Sequence, residues 1–125
     1  MADYSILIMM TTYNGEKYIE RQLNSIIDQT YSNWNLVVRD DGSKDNTLSI
    51  LEQYQNKDSR IKIVDNDSKN HGAYYNFFGI VEYAKTLPLY DFYMFSDQDD
   101  IWDKNKIERF LNYYSNVKSE QPVLI

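Results

Sequence analysis

Four short apolar runs, each broken off by a polar cluster and followed by a stretch of helical periodicity, constrain this chain more than any other feature. "SILIMMT" (5–11), "WNLVVRD" (34–40), "RIKIVD" (60–65) and "DFYMFS" (91–96) all have the length of strands. The first is continuously apolar, as a strand covered on both faces requires. Between them the period changes. "EKYIERQLNSIIDQ" sets Ile19, Leu23, Ile26 and Ile27 on an i, i+4, i+7, i+8 stripe, the mark of a helix with one buried face. "NTLSILEQYQ" carries Leu48 and Leu51 on one face, and "YYNFFGIVEYAKTL" (74–87) supplies Phe77, Val81 and Ala84 at helical spacing. In that third helix Gly79 reads as a weak point. "KNKIERFLNYYSN" (104–116) gives a clear fourth stripe of Ile107, Phe110, Leu111 and Tyr114, and "PVLI" (122–125) reads as the start of a fifth strand.

Strand and helix thus alternate, which predicts an α/β protein with a mostly parallel sheet and helices on both faces. Right-handed crossovers leave few topologies for such a chain. No repeat, linker or low-complexity stretch interrupts residues 1–125, so one domain is expected. The chain stops inside an apolar run, and on that ground it reads as the first part of something longer.

In an open α/β sheet, ligands bind beyond the carboxyl ends of the strands, near a reversal of strand order. Here those ends carry the residues with specific chemistry. "TTYNG" (11–15) follows the first strand, "DDGS" (40–43) the second, Asp65 to Gly72 the third, and "DQDDIWD" (97–103) the fourth. The last crowds Asp97, Asp99, Asp100 and Asp103 into seven positions. At an effective dielectric near 20, two carboxylates ~4 Å apart repel by roughly 4 kcal/mol. Water, a helix N-terminus or a bound cation must compensate. Hard cations such as Mg²⁺ and Mn²⁺ take oxygen ligands, often one or two carboxylates plus substrate phosphates. Asp97 and Asp99, one residue apart at a strand end, can aim at one point. Asp100 and Asp103 can instead cap the helix that follows, and Asp103 is expected to do so.

A βα turn accounts for Gly42, Ser43 and Asp45, with Asp45 or Asn46 as a helix cap. It accounts less well for Asp40 and Asp41, either of which could accept a hydrogen bond from a nucleobase N–H or a ribose hydroxyl. Tyr13 can stack on a base or pack in the core. His71, the single histidine, reads as an exposed loop residue. Trp102 is expected to pin the acidic loop to the body of the domain. The absent motifs narrow the field. Without G-x-G-x-x-G, G-x-x-x-x-G-K-[ST] or G-x-S-x-G, the dinucleotide-binding, P-loop and α/β-hydrolase readings fail.

The net charge of −6 argues against a nonspecific nucleic-acid binder. No run approaches the ~20 apolar residues of a membrane span, and the N-terminus lacks the pattern of a secretory signal. With no cysteine there are no disulfides or thiolate metal sites, which fits a reducing compartment.

These segments together resemble the nucleotide-sugar-binding half of family 2 glycosyltransferases with the GT-A fold. T-x-Y-N, D-D-G-S-x-D-x-T and D-x-D-D carry the resemblance, which runs over about residues 4–125. The "DQDDIW" variant looks most like bacterial rhamnosyltransferase-like enzymes of cell-surface polysaccharide biosynthesis. The resemblance implies that Thr11 and Tyr13 line a nucleotide pocket and that Asp41 hydrogen-bonds a pyrimidine base. It gives Asp97 a ribose or metal contact, Asp99 the metal (Mg²⁺ or Mn²⁺), and Asp100 an orienting role toward the sugar. Where the family often carries an arginine, just before the asparagine of "NHGAYYN", this chain has Tyr75.

The implied reaction is inverting transfer from a UDP- or dTDP-linked sugar to a saccharide or lipid-linked saccharide acceptor, with the catalytic base beyond residue 125. The implied location is cytoplasmic, where a longer enzyme could sit against the inner face of the membrane. A donor-binding fragment of this kind is expected to self-associate through an uncovered apolar face. Two alternatives stand beside this reading: a toprim-like, metal-dependent phosphotransfer or nuclease domain, and a non-catalytic nucleotide-binding module.

Overall fold

The computed structural model describes residues 3–66 and 70–117. Four strands and four helices alternate along the chain: β1 (Ile6–Thr12), α1 (Ile19–Ile27), β2 (Trp34–Asp40), α2 (Thr47–Lys57), β3 (Ile61–Val64), α3 (Ala73–Ala84), β4 (Phe92–Asp97) and α4 (Lys106–Val117). All four strands are parallel, in the order β3-β2-β1-β4. The expected fifth strand at 122–125 lies outside the described residues.

The register explains why β1 is apolar from Ile6 to Met10. Hydrogen-bonded to β2 on one side and to β4 on the other, it turns alternate side chains to opposite faces. Ile6, Ile8 and Met10 pack with Leu36, Val38 and Met94 against Ile19, Leu23 and Ile26 of α1, Leu51 of α2, and Ile107 and Leu111 of α4. Leu7 and Met9 face the other way, with Val37 and Val64, onto Ile80 and Ala84 of α3. Each fully buried Leu or Ile contributes about 1.5–3 kcal/mol relative to exposure, so two filled faces stabilise the sheet from both sides.

Two helices bury a different stripe from the expected one. In α3 the buried residues are Asn76, Ile80 and Ala84, whereas Phe77 is 48% exposed. Phe77 instead stacks on Phe95 of β4, with ring centroids 4.9 Å apart. In α2, Leu51 is buried and Leu48 faces solvent. Gly79 is not a defect in its helix. A Cβ there would come within 2.5 Å of Cζ of Arg39, so the missing side chain makes room for a guanidinium.

Asp103 does not cap α4 with its side chain. Its carboxylate pairs with Arg109 at 3.0 Å, while Gln29, at the end of α1, accepts the Ile107 N–H through Oε1. The same amide donates to the Asp103 carbonyl at 2.6 Å. A buried glutamine just past α1 thus supplies the cap that a local aspartate was expected to supply. Trp102 behaves as its position implied: it is 4% exposed, sits in the larger core cluster, and donates its backbone N–H to Ser25 Oγ.

Candidate functional site

Strand order reverses between β1 and β4, since β1 leads to β2 and β3 on one side and β4 returns to the other. A cavity of about 870 Å³ opens at the carboxyl ends of these strands, within the usual range for small-molecule sites. Its walls come from four separate segments. Thr11 and Thr12 end β1 and Tyr13 follows them, Asp41, Gly42 and Lys44 follow β2, His71 to Ala73 and Asn76 lead into and open α3, and Asp97 ends β4 with Gln98 and Asp99 after it. Among the expected site residues, Thr11, Tyr13, Asp41, Asp97 and Asp99 all reach this one cavity. Asp100 is exposed and lies outside the lining.

The loops after β1 and β2 are laced into one unit. Asn14, in the left-handed region at φ 48°, receives the Lys44 N–H at its Oδ1 and donates its own N–H to Ser43 Oγ, both at 2.8 Å. Gly15 N–H donates to Thr47 Oγ1, and Asp41 N–H to the Thr12 carbonyl. Asn46 holds the N-cap position of α2 without a side-chain cap bond. Asp45 does that work, accepting the Thr47 N–H at 2.9 Å and the Glu16 N–H at 3.2 Å. These donor bonds hold the Asp45 carboxyl below its ordinary pKa, led by the Thr47 hydroxyl.

The two adjacent aspartates divide their labour. Asp40 is structural: it accepts the Thr12 hydroxyl at 2.7 Å and both the N–H and hydroxyl of Ser43, at 2.8 and 2.6 Å. Removing a charged, buried acceptor strands those donors. Asp40→Ala is therefore expected to destabilise the fold by about 3 kcal/mol, measured by urea unfolding; a loss below roughly 0.5 kcal/mol would show that these bonds add nothing net.

Asp41 turns to the cavity. Its side chain is 8% exposed, with Oδ2 accepting the Gly72 N–H at 2.8 Å and Oδ1 lying 3.1 Å from His71 Nδ1. Burial works to raise this carboxyl, but the bonds from Gly72, His71 and the Asn66 amide, with the charge of His71, outweigh it and hold the pKa below its ordinary value. A carboxylate has about four lone-pair sites, so Asp41 retains accepting capacity toward a ligand.

His71 is thus exposed, as its loop position implied, and it also belongs to the site through its bond to Asp41. Sequence reasoning did not single out Lys44, Gly72, Asn76 or Gln98 either. Gln98 holds the acidic loop against the first one: its Oε1 accepts the Tyr13 N–H at 2.9 Å, and its Nε2 donates to the Tyr13 carbonyl at 3.1 Å. A Cβ at Gly15 would fall 2.7 Å from Gln98 Cδ, so glycine there leaves the clamp its space. Tyr13 itself is 46% exposed, which leaves its ring available for stacking.

The carboxylates of Asp97 and Asp99 carry no hydrogen bond or ion pair to any described residue. Among the described residues no group of three or more His, Cys, Asp or Glu could hold a metal by itself. Two free carboxylates on a shared cavity wall fit a Mg²⁺- or Mn²⁺-type ion whose remaining ligands are phosphate and water oxygens.

The profile of glycosyl transferase family 2 matches residues 7–119. The chain belongs to that family. It is 42% identical over 123 residues to the dTDP-rhamnosyl transferase RfbG of Shigella flexneri, covering 90% of this chain and 42% of the relative. It is 39% identical over 108 residues to WfgD of Escherichia coli, a UDP-Glc:alpha-D-GlcNAc-diphosphoundecaprenol beta-1,3-glucosyltransferase, covering 86% of this chain and 40% of that relative. The chain therefore spans about two fifths of these relatives' length. Among solved structures, S. aureus TarS 1–349 in complex with UDP superposes with a TM-score of 0.77 at 25% identity, covering 97% of this chain and 38% of that one. The fold is the GT-A arrangement expected from the motifs. Family membership does not favour the phosphotransfer or non-catalytic readings. No helix among the described residues is long and apolar enough to cross a membrane.

Proposed function

We propose that the cavity binds the nucleoside diphosphate of a UDP- or dTDP-linked sugar, and that the chain is the donor-binding part of an inverting glycosyltransferase. The acceptor in this reading is a saccharide or lipid-linked saccharide of a bacterial cell-surface polysaccharide, met on the cytoplasmic side of the membrane. One observation carries it: Asp41 and the Asp97–Asp99 pair line a single cavity at the reversal of strand order. Dinucleotide and P-loop proteins cradle phosphate with glycine-rich loops. This site has carboxylates in that place, and a cation must stand between them and a diphosphate.

Each residue then has a task. Asp41 accepts the N3–H of uracil or thymine, Tyr13 stacks on the base, and Thr11 borders the pocket. Asp97 meets ribose or the cation, Asp99 binds the cation, and Asp100 orients the sugar. A divalent ion held by Asp97 and Asp99 would supply Lewis-acid stabilisation of the leaving diphosphate. Deprotonating the acceptor hydroxyl needs a general base. The reading assigns that base to an acceptor-binding part beyond residue 125, since the relatives are much longer than the matched stretch.

Calorimetry on the 125-residue chain with UDP, dTDP, GDP and CDP, with and without Mn²⁺, tests the proposal. Saturable binding of UDP or dTDP that requires the cation is the expected result. Absence of binding by every nucleotide in both conditions would overturn it.

A further inference from the structure

Arg39 lies on β2 beneath the site and is 6% exposed, yet its guanidinium pairs with no carboxylate among the described residues. Its partners are neutral. Nη1 donates to Asn76 Oδ1 at 3.0 Å and to the Tyr75 carbonyl at 3.3 Å, and Nη2 donates to Asn66 Oδ1 at 2.8 Å. Burying a cation without a counter-ion is costly. An apolar side chain of similar volume is often as stable or more stable in such a place. The fold nevertheless makes room for this charge by leaving Gly79 bare beside it.

What the guanidinium grips explains the accommodation. Asn76 passes the contact on by donating Nδ2 to the Thr12 carbonyl at 3.2 Å, and Asn76 itself lines the cavity. Asn66 donates Nδ2 to the Asp40 carbonyl at 2.8 Å and also bonds the Asp41 carboxylate. One planar fork therefore orients two amides, and through them the ends of β1 and β2 and the start of α3.

We propose that Arg39 is a positioning residue for the nucleotide site: its fork fixes Asn66 and Asn76, and so sets Asp41, His71 and Gly72 as a preformed wall. The inference rests on the nucleotide-binding reading for its consequence, but its structural content can be tested without a ligand.

The Gly72 amide, which donates to Asp41, reports the wall directly. In Arg39→Met its hydrogen exchange, followed by NMR, is expected to accelerate at least tenfold while the amides of Ile8 and Leu36 keep their protection. Equal acceleration at all three sites, or none at Gly72, would overturn the inference. The dissociation constant for UDP with Mn²⁺ is expected to rise at least tenfold in the same variant. Arg39→Lys keeps the charge but loses the fork, so it is expected to stay within about threefold of the Met variant. Restoration of wild-type affinity by lysine would also overturn the fork's role. If Arg39→Met does not fold, Gly79→Ala displaces the guanidinium without deleting it and takes both measurements. Failure of the wild type to bind either UDP or dTDP would sink the nucleotide reading, while Gly72 exchange would still decide the position of the wall. Unchanged affinity in Arg39→Met beside a binding wild type would sink this inference alone.

Discussion

Asp99→Asn is expected to abolish Mn²⁺-dependent binding of UDP while leaving the fold intact. The side chain is exposed and bonded to no described residue, so its loss removes no folding contact. Beside a divalent cation ~4 Å away, one carboxylate charge contributes roughly 8 kcal/mol of gross attraction at an effective dielectric near 20. Even a large solvation offset leaves a loss of at least a hundredfold in affinity. Asp103→Asn is the control. That carboxylate is 80% exposed and pairs with an Arg109 side chain that is itself 62% exposed, an arrangement worth about 0–1 kcal/mol to stability. Its affinity is expected to stay within twofold. Equal losses at both positions, read by calorimetry, would discredit the assignment of the cation to Asp99.

The second large effect belongs to Asp41. Replacing it with alanine is expected to weaken UDP and dTDP by roughly 1.5–3 kcal/mol, the range for a hydrogen bond to a charged group. Cytosine has no N3–H to donate, so CDP binding should be weak in both proteins and little altered. The same carboxylate predicts an acid limit. Its folded pKa is depressed, so the stability it contributes is complete above the ordinary carboxylate value and is lost as pH falls through the folded one. Nucleotide affinity measured downward from neutrality should fall in that acidic window, and this part of the fall should be missing in Asp41→Ala. Unchanged UDP and dTDP affinity in the variant would remove Asp41 from the site.

The elements were legible because their signals are local. A strand buried on both faces must be apolar along its buried run, and β1 is from Ile6 to Met10; α1 shows its stripe because three of four isoleucine and leucine positions are fully buried. The site's rim was legible for a related reason, since polar residues after strands in a parallel sheet converge on one edge. What escaped were contacts between segments far apart in sequence. Asp40 and Asp41 look alike in a string of letters, and only the Thr12 hydroxyl and the His71–Gly72 loop distinguish them. Gln29 capping α4 and Arg39 reaching Asn66 and Asn76 have no periodic signature. Gly79 misled because helix propensity treats an absent side chain as a cost, whereas here the space is occupied by a guanidinium from another element.

The strand order also sets a timetable. β1 is made first and ends in the middle of the sheet, and its β4 flank is filled by the last strand among the described residues, which starts at Phe92 just after Asp91 bonds Ser5, 86 positions on from it. Closing so long an interval is entropically costly, and parallel pairing between distant segments is slow. On a ribosome adding about 5–20 residues per second, the cavity wall from residues 11–13, 41 and 71–76 is made about 1–4 s before Asp97 and Asp99 exist. During that time the nascent chain carries one side of the cavity without the Asp97–Asp99 pair that completes it. One edge of its most apolar strand is also open to any neighbouring strand. The β1–β4 seam that assembles the site is thus the place where a crowded or slowed synthesis would first go wrong.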